Sequence, residues 1–294
     1  FGESWGPRMD GKMVKQWEDE EPTPFTPAKD NIRDFFNTGV TFTNNIAITN
    51  STKNSDLRLS YTNKDQEGVV PNTGLERHTF YASIGNDITE DLSVRGNFSF
   101  INGSSRNVPN AGYDESSSIM YGWLWYPRHE EIGQLKNYWA DRGTQQNHFE
   151  SLWTNNPYFL VNENTNSYER NRFIGNVRVN YDLTDNFSLR WRSGGDINDE
   201  GRQFRRAFST RKLPFGSYRK DELNLMETNH ELLMTYSQRP EDSDFGFEVN
   251  LGGNRMHQSS DISRSRARDL SEPGVYNLSN ARGNVIAEDF TQEK

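Results

Sequence analysis

The sequence predicts an all-β chain: an antiparallel stretch of a transmembrane β-barrel, about eight strands long, with long extracellular loops that carry short helices. Three observations predict it. Apolar and polar residues alternate with period two through segment after segment, as in strands whose faces meet different surroundings. One turn recurs position by position: Ile88-Thr89-Glu90-Asp91-Leu92-Ser93-Val94-Arg95 matches Leu183-Thr184-Asp185-Asn186-Phe187-Ser188-Leu189-Arg190. Connections also alternate in length. Those near 50–55, 88–91, 184–186 and 238–244 are short, and those near 63–77, 102–171, 194–228 and beyond 254 are long. Short turns at one end and long loops at the other mark an outer-membrane barrel; soluble sandwiches need no such rhythm.

Residues 1–37 read as an extracellular loop. Trp5-Gly6-Pro7-Arg8-Met9-Asp10-Gly11 is turn-rich, Glu18–Pro27 mixes acids with prolines, and Asp30–Phe36 suggests a helical turn capped by Asp30 or Asn31. Four strands follow within 38–101: Val40–Thr49, Asp56–Thr62, His78–Ile88 and Leu92–Ile101. Leu57, Leu59 and Phe98 fall on their apolar face, Arg58 and Arg95 on the polar one.

Residues 102–170 read as a long extracellular loop with helical spacing over Glu115–Tyr126 and Glu130–Ala140, separated by Pro127. Trp153–Tyr158 then turns the chain back. A connection of this length within a compact fold tends to be functional. Four more strands occupy 171–254. Val177, Leu189 and Phe247 lie on their apolar face, against Arg178, Arg190 and Arg192. An arginine- and glycine-rich loop is expected over about 195–222, and 255–294 reads as loop, with Val275–Leu278 as the start of a further strand.

Composition narrows the function. The chain has 294 residues, 32% hydrophobic but 13% aromatic, a balance that fits half-apolar strands joined by polar loops. A net charge of -9 without a basic stripe argues against nucleic acid as a partner. With no cysteine there is neither a disulfide framework nor a thiolate metal site. The opening at Phe1 and the polar ending at Phe290–Lys294 suit a piece of a longer chain.

Several short motifs resemble the SusC/RagA-like TonB-dependent transporters of Bacteroidetes-type bacteria: Ser4–Gly11, Asp30–Gly39, Leu57–Asn63, Gly68–Thr73, Asn155-Asn156-Pro157-Tyr158 and Asn164-Thr165-Asn166. The resemblance implies a barrel of about 22 strands around an N-terminal plug. It also implies uptake of oligosaccharides or peptides beneath a SusD-like lipoprotein lid, energised through TonB. No plug and no TonB box is found in the sequence, so the chain reads as a middle arc of the barrel, with TonB reached through a plug region elsewhere.

Within that frame Trp123, Trp125, Tyr126, Trp139, Trp153 and Tyr158 are candidates to stack on substrate or to touch the lid. The plainer alternative is that they pack the loop's own core. Trp125 and Tyr126, beside Pro127, are expected to project outward. The lumen-facing residues are Arg58, Arg95, Arg178, Arg190 and Arg192; they suit either an anionic ligand or acidic groups of a plug. Leu57, Leu59, Phe98, Val177, Leu189 and Phe247 are expected to face the lipid bilayer. Asp196–Gly201 imitates a calcium loop but has Ala207 where the twelfth-position acid belongs, and His129, Glu130 and His148 lack zinc-hydrolase spacing. No metal, cofactor or catalytic constellation is expected. Two other readings compete: a secreted or surface β-sandwich that binds glycans, and a complete eight-stranded barrel.

Overall fold

The structure, a computed structural model, describes residues 6–17, 19–149, 153–238 and 245–294. Ser4, Trp5 and the short connection near 238–244 lie largely outside these residues. One antiparallel sheet of nine strands dominates. Its strands are β1 Val40–Ser51, β2 Ser55–Glu67, β3 Gly74–Asp87, β4 Leu92–Ser105, β5 Asn166–Thr184, β6 Phe187–Thr210, β7 Leu213–Gln238, β8 Phe247–Ala267 and β9 Ile286–Glu293. Every strand pairs with its neighbours in sequence, so the sheet is an uninterrupted meander even across the long β4–β5 connection.

The recurring turn has a physical cause. Thr89 Oγ1 accepts from Asp91 N at 3.3 Å and Leu92 N at 3.1 Å. Thr184 Oγ1 accepts from Asn186 N and Phe187 N at the same two distances. Each hydroxyl accepts from two amides where the chain reverses.

The strands run further than their sequence pattern. The segment expected as a loop over about 195–222 is instead the upper part of the β6–β7 hairpin, paired from Phe187↔Tyr236 to Thr210↔Leu213. Strand also extends over 102–105, 166–170 and 255–267. In Asp199–Arg206 both faces are largely polar, so period two disappears from the sequence while the backbone ladder continues. The further strand begins at Ile286; around Val275–Leu278 the chain instead enters a single 3-10 turn, Leu278–Asn280.

The sheet is open, because β1 and β9 each pair on one side only. That excludes a complete eight-stranded barrel. A sandwich fails as well: among the described residues the other ladders are Met13–Val14 with Thr23–Pro24 and Trp139–Asp141 with Gln145–Gln146, far too small to cover this sheet. Its apolar face is bare. Ile46 is 66% exposed, Ile48 65% and Leu251 65%. The buried cores lie among the loops instead, around Phe35, Leu135 and Phe159 and, separately, around Ala267 and Leu270.

Register shows how this bare face is oriented. One ladder row on it runs Leu59–Ala82–Phe98–Gly175–Gly195–Thr228 from β2 to β7. On β2 that row is the middle of the apolar run Leu57, Leu59, Tyr61. On β7 the apolar run is Leu232, Met234, Tyr236, centred six residues further toward the short turns. Six residues are about 20 Å along a strand and five strand spacings about 24 Å across, so the apolar belt crosses the strands at about 40° to the ladder rows. Strands tilted by that angle from the normal to a level belt are the geometry of a membrane barrel wall.

Candidate functional site: a loop cap on a two-faced wall

At the long-loop end, residues 28–37 and the β4–β5 connection fold together into a cap. Its helices are α1 Ile119–Trp123 and α2 Pro157–Glu163, with 3-10 turns at Asn31–Phe35 and Ile132–Lys136. The helical spacing over Glu115–Tyr126 and Glu130–Ala140 thus condenses into single turns. Helix α2 falls where a simple turn was expected, although Asn followed by Pro is a helix-start signature. Asn156 caps it, accepting from Tyr158 N at 2.8 Å and Phe159 N at 3.2 Å, while its amide donates to the carbonyls of Leu135 and Asn147, each at 2.8 Å.

Asparagines join the parts of the cap to one another and to the wall. Asn155 accepts from Arg211 N at 2.8 Å and donates to Glu115 O at 2.7 Å. Asn164 accepts from Ala207 N at 2.9 Å, Asn72 donates to Val161 O at 2.8 Å, and Asn31 donates to Glu130 O at 2.9 Å. Asp30 precedes its 3-10 turn in a left-handed conformation (φ 54°) without a side-chain cap bond. The motifs that carry the family resemblance are therefore largely the joints between loops. Sequence reasoning quoted these asparagines but did not assign them that role.

The six aromatic candidates divide. Trp123, Tyr126 and Tyr158 are buried in the cap core, Trp123 and Tyr158 against Phe35 at 4.9 and 5.1 Å. Tyr126 does not project outward as expected, because the turn after α1 folds its ring onto Trp123 and Phe149. Trp139 is half-buried edge-on to Phe159 at 5.2 Å. Trp125 (37% exposed) and Trp153 (46%) reach the surface. They border a cavity of about 20 Å³, room for about one water, with His148 and Asn155. The Arg211 guanidinium lies 5.9 Å from the Trp153 ring centre.

Burial sets the electrostatics of the cap. Desolvation, reinforced by Asp19, lifts the Glu130 carboxyl to about 7. Burial lowers the His148 imidazole to about 3, with Nε2 held 2.7 Å from Thr154 Oγ1. Among the described residues no group of three or more His, Asp or Glu converges as a metal site. Asp196–Gly201 lies within β6, where Asp196 pairs with Arg172.

Below the cap the ladder sorts the remaining candidates by face. Leu57, Leu59, Phe98, Val177, Leu189 and Phe247 share the bare apolar face, and Arg58, Arg95, Arg178, Arg190 and Arg192 share the opposite one. On the polar face Arg95 meets Asp87 at 2.6 Å and Arg192 meets Glu231 at 2.8 Å.

An open, tilted wall under a loop cap has counterparts among solved structures. The chain aligns with the RagAB peptide transporter at a TM-score of 0.67 and 17% identity, covering 86% of this chain and 28% of that one. It aligns with the RagAB peptide importer in the closed-closed state at 0.73 and 17% identity, covering 92% and 30%. For the open-open state the values are 0.70 and 18%, covering 89% and 29%. The chain has the fold of part of the barrel wall in those structures. It spans less than a third of those transporter chains. No family profile matches it, and no curated protein matches it.

Proposed function

We propose that the chain is a wall segment of an outer-membrane active importer, not an enzyme. The importer takes up peptides or oligosaccharides with a SusD-like lipoprotein at its mouth and draws its energy through TonB. The observation that carries this reading is the bare apolar belt running at about 40° to the ladder rows, since an uncovered apolar band needs lipid beside it and a tilted wall needs a barrel to close it. The opposite face, with its arginines and asparagines, lines the wet lumen. Trp125 and Trp153, exposed on the cap, are its contacts with the lid or with substrate, while Trp123, Tyr126, Trp139 and Tyr158 hold the cap's shape. RagAB supports the transport class, and its peptide cargo makes peptides the first substrate to try.

The test uses single cysteines at Leu59, Phe98, Val177 and Phe247 in the complete protein, in intact outer membranes. A lipid-confined maleimide should label all four and leave Asn97 and Asn176 cysteines untouched. Protection of the first four from that probe overturns the importer reading.

A further inference from the structure

Three arginines stand in one ladder row on the polar face. Arg178 on β5 is directly opposite Arg95 on β4 and directly opposite Arg192 on β6. Like charges in that relation destabilise a sheet. The outer two turn away from the middle. Arg95 reaches to Asp87 at 2.6 Å and approaches Asp56 at 3.8 Å, and Arg192 reaches to Glu231 on β7. Arg178 remains exposed, with no carboxylate partner among the described residues. Arg190, two residues before Arg192 on the same face, is in the same position.

The strands on both sides of Arg178 are present and fully paired, so no missing wall strand can supply a counter-charge beside it. A carboxylate for Arg178 can come only from the space in front of the polar face. Besides the arginines, the side chains around Arg178 are the amides and hydroxyls of Ser93, Asn97, Asn176 and Asn180, and the Tyr81 hydroxyl donates to Asn97 at 3.0 Å. Such a surface suits carboxylates and peptide groups better than the apolar faces of sugar rings. A guanidinium also matches a carboxylate with two parallel hydrogen bonds.

We propose that Arg178, seconded by Arg190, is an anion station on the lumen wall that takes a carboxylate of a peptide cargo. This inference rests on the importer reading and names a cargo chemistry for it.

The 294 residues contain no cysteine, so an Asn176→Cys reporter, two residues from Arg178 on the same face, is unique within them. In the complete protein in outer-membrane vesicles, a sulfonate-bearing methanethiosulfonate should modify this cysteine about tenfold faster than its trimethylammonium counterpart. Arg178→Gln should bring the ratio close to one. Tetraglutamate should protect the reporter, and tetraserine or inorganic phosphate at equal concentration should not. A ratio that survives Arg178→Gln overturns the proposal, and so does phosphate protecting as well as tetraglutamate. Failure of both reagents to reach the reporter, with the belt positions reacting instead, would sink the importer reading itself.

Discussion

The side-chain oxygen of Asn155 accepts the backbone N–H of Arg211 at 2.8 Å, joining the cap to the tip of the β6–β7 hairpin across 56 residues of sequence. The same oxygen accepts from Gln146 at 2.9 Å, while the Asn155 amide donates to Glu115 O at 2.7 Å. Asn155 itself is buried, and a buried partner left unsatisfied costs more than a hydrogen bond contributes. The cap is consequently a fixed part of the wall's long-loop end.

Asn155→Ala strips three groups of their partner at once. It should destabilise the cap by about 2–4 kcal/mol. Hydrogen exchange should show the loss in α1, α2 and the hairpin tip, with the ladder rows around Leu59 unchanged. Equal loss of protection throughout the sheet would mean that the cap is no separate unit.

Cap stability should depend on pH through two buried groups with opposite signs. The Glu130 carboxyl is raised from 4.5 to about 7, so its contribution is complete below 4.5 and is lost as pH rises to about 7. His148 is lowered from 6.5 to about 3, so its contribution is complete above 6.5 and is lost as pH falls toward 3. Between 4.5 and 6.5 the two slopes oppose each other, and His129, also lowered by burial, adds to the His148 side. Glu130→Gln removes one of them. At pH 7.5 the variant cap should be more stable by about 2–3 kcal/mol, and its stability should fall continuously as pH drops below 6.5. Hydrogen exchange at several pH values reads both effects. A variant no more stable than the parent at pH 7.5 refutes the account of Glu130.

What could be read from the sequence follows from which faces meet different surroundings. Leu59, Phe98 and Val177 alternate with polar neighbours because one face of the sheet is bare and apolar and the other polar, so their strands are legible. Asp199–Arg206 is largely polar on both faces and reads as loop, although Asp199↔Asn224 and Gln203↔Lys220 continue the same ladder. Trp123 and Trp125 differ only in where α1 ends: one ring turns into the core and the other stays at the surface. No periodicity encodes that, because it depends on Phe35 arriving from a segment 88 residues away.

The threonine turns should be worth more than their exposure suggests. Thr184→Val removes the acceptor for both Asn186 N and Phe187 N while preserving side-chain shape. A loss of about 1–2 kcal/mol is expected in denaturant unfolding of the reconstituted complete protein. Thr89→Val should match it, since the two turns share their hydrogen bonds. Thr43→Val, inside β1 and away from any turn, should change little. If all three variants unfolded alike, the turns would owe their recurrence to something other than these hydroxyls.

The tilt of the belt makes a prediction that a flat reading of the sheet does not. Leu59 and Thr228 belong to one ladder row and point to the same face. If the bilayer followed the rows, arginine would be equally costly at both. With strands tilted by about 40°, Leu59 lies at the belt's middle, while Thr228 has risen toward the interface and Met234 has taken the central place. Leu59→Arg and Met234→Arg should each cost about 2–4 kcal/mol in liposome-reconstituted complete protein, against about 0–1 kcal/mol for Thr228→Arg. Unfolding titrations of the three variants decide the matter. A penalty at Thr228 equal to that at Leu59 would mean that the membrane does not cross the wall on this diagonal, and the assignment of inner and outer positions on β6–β8 would have to be redrawn.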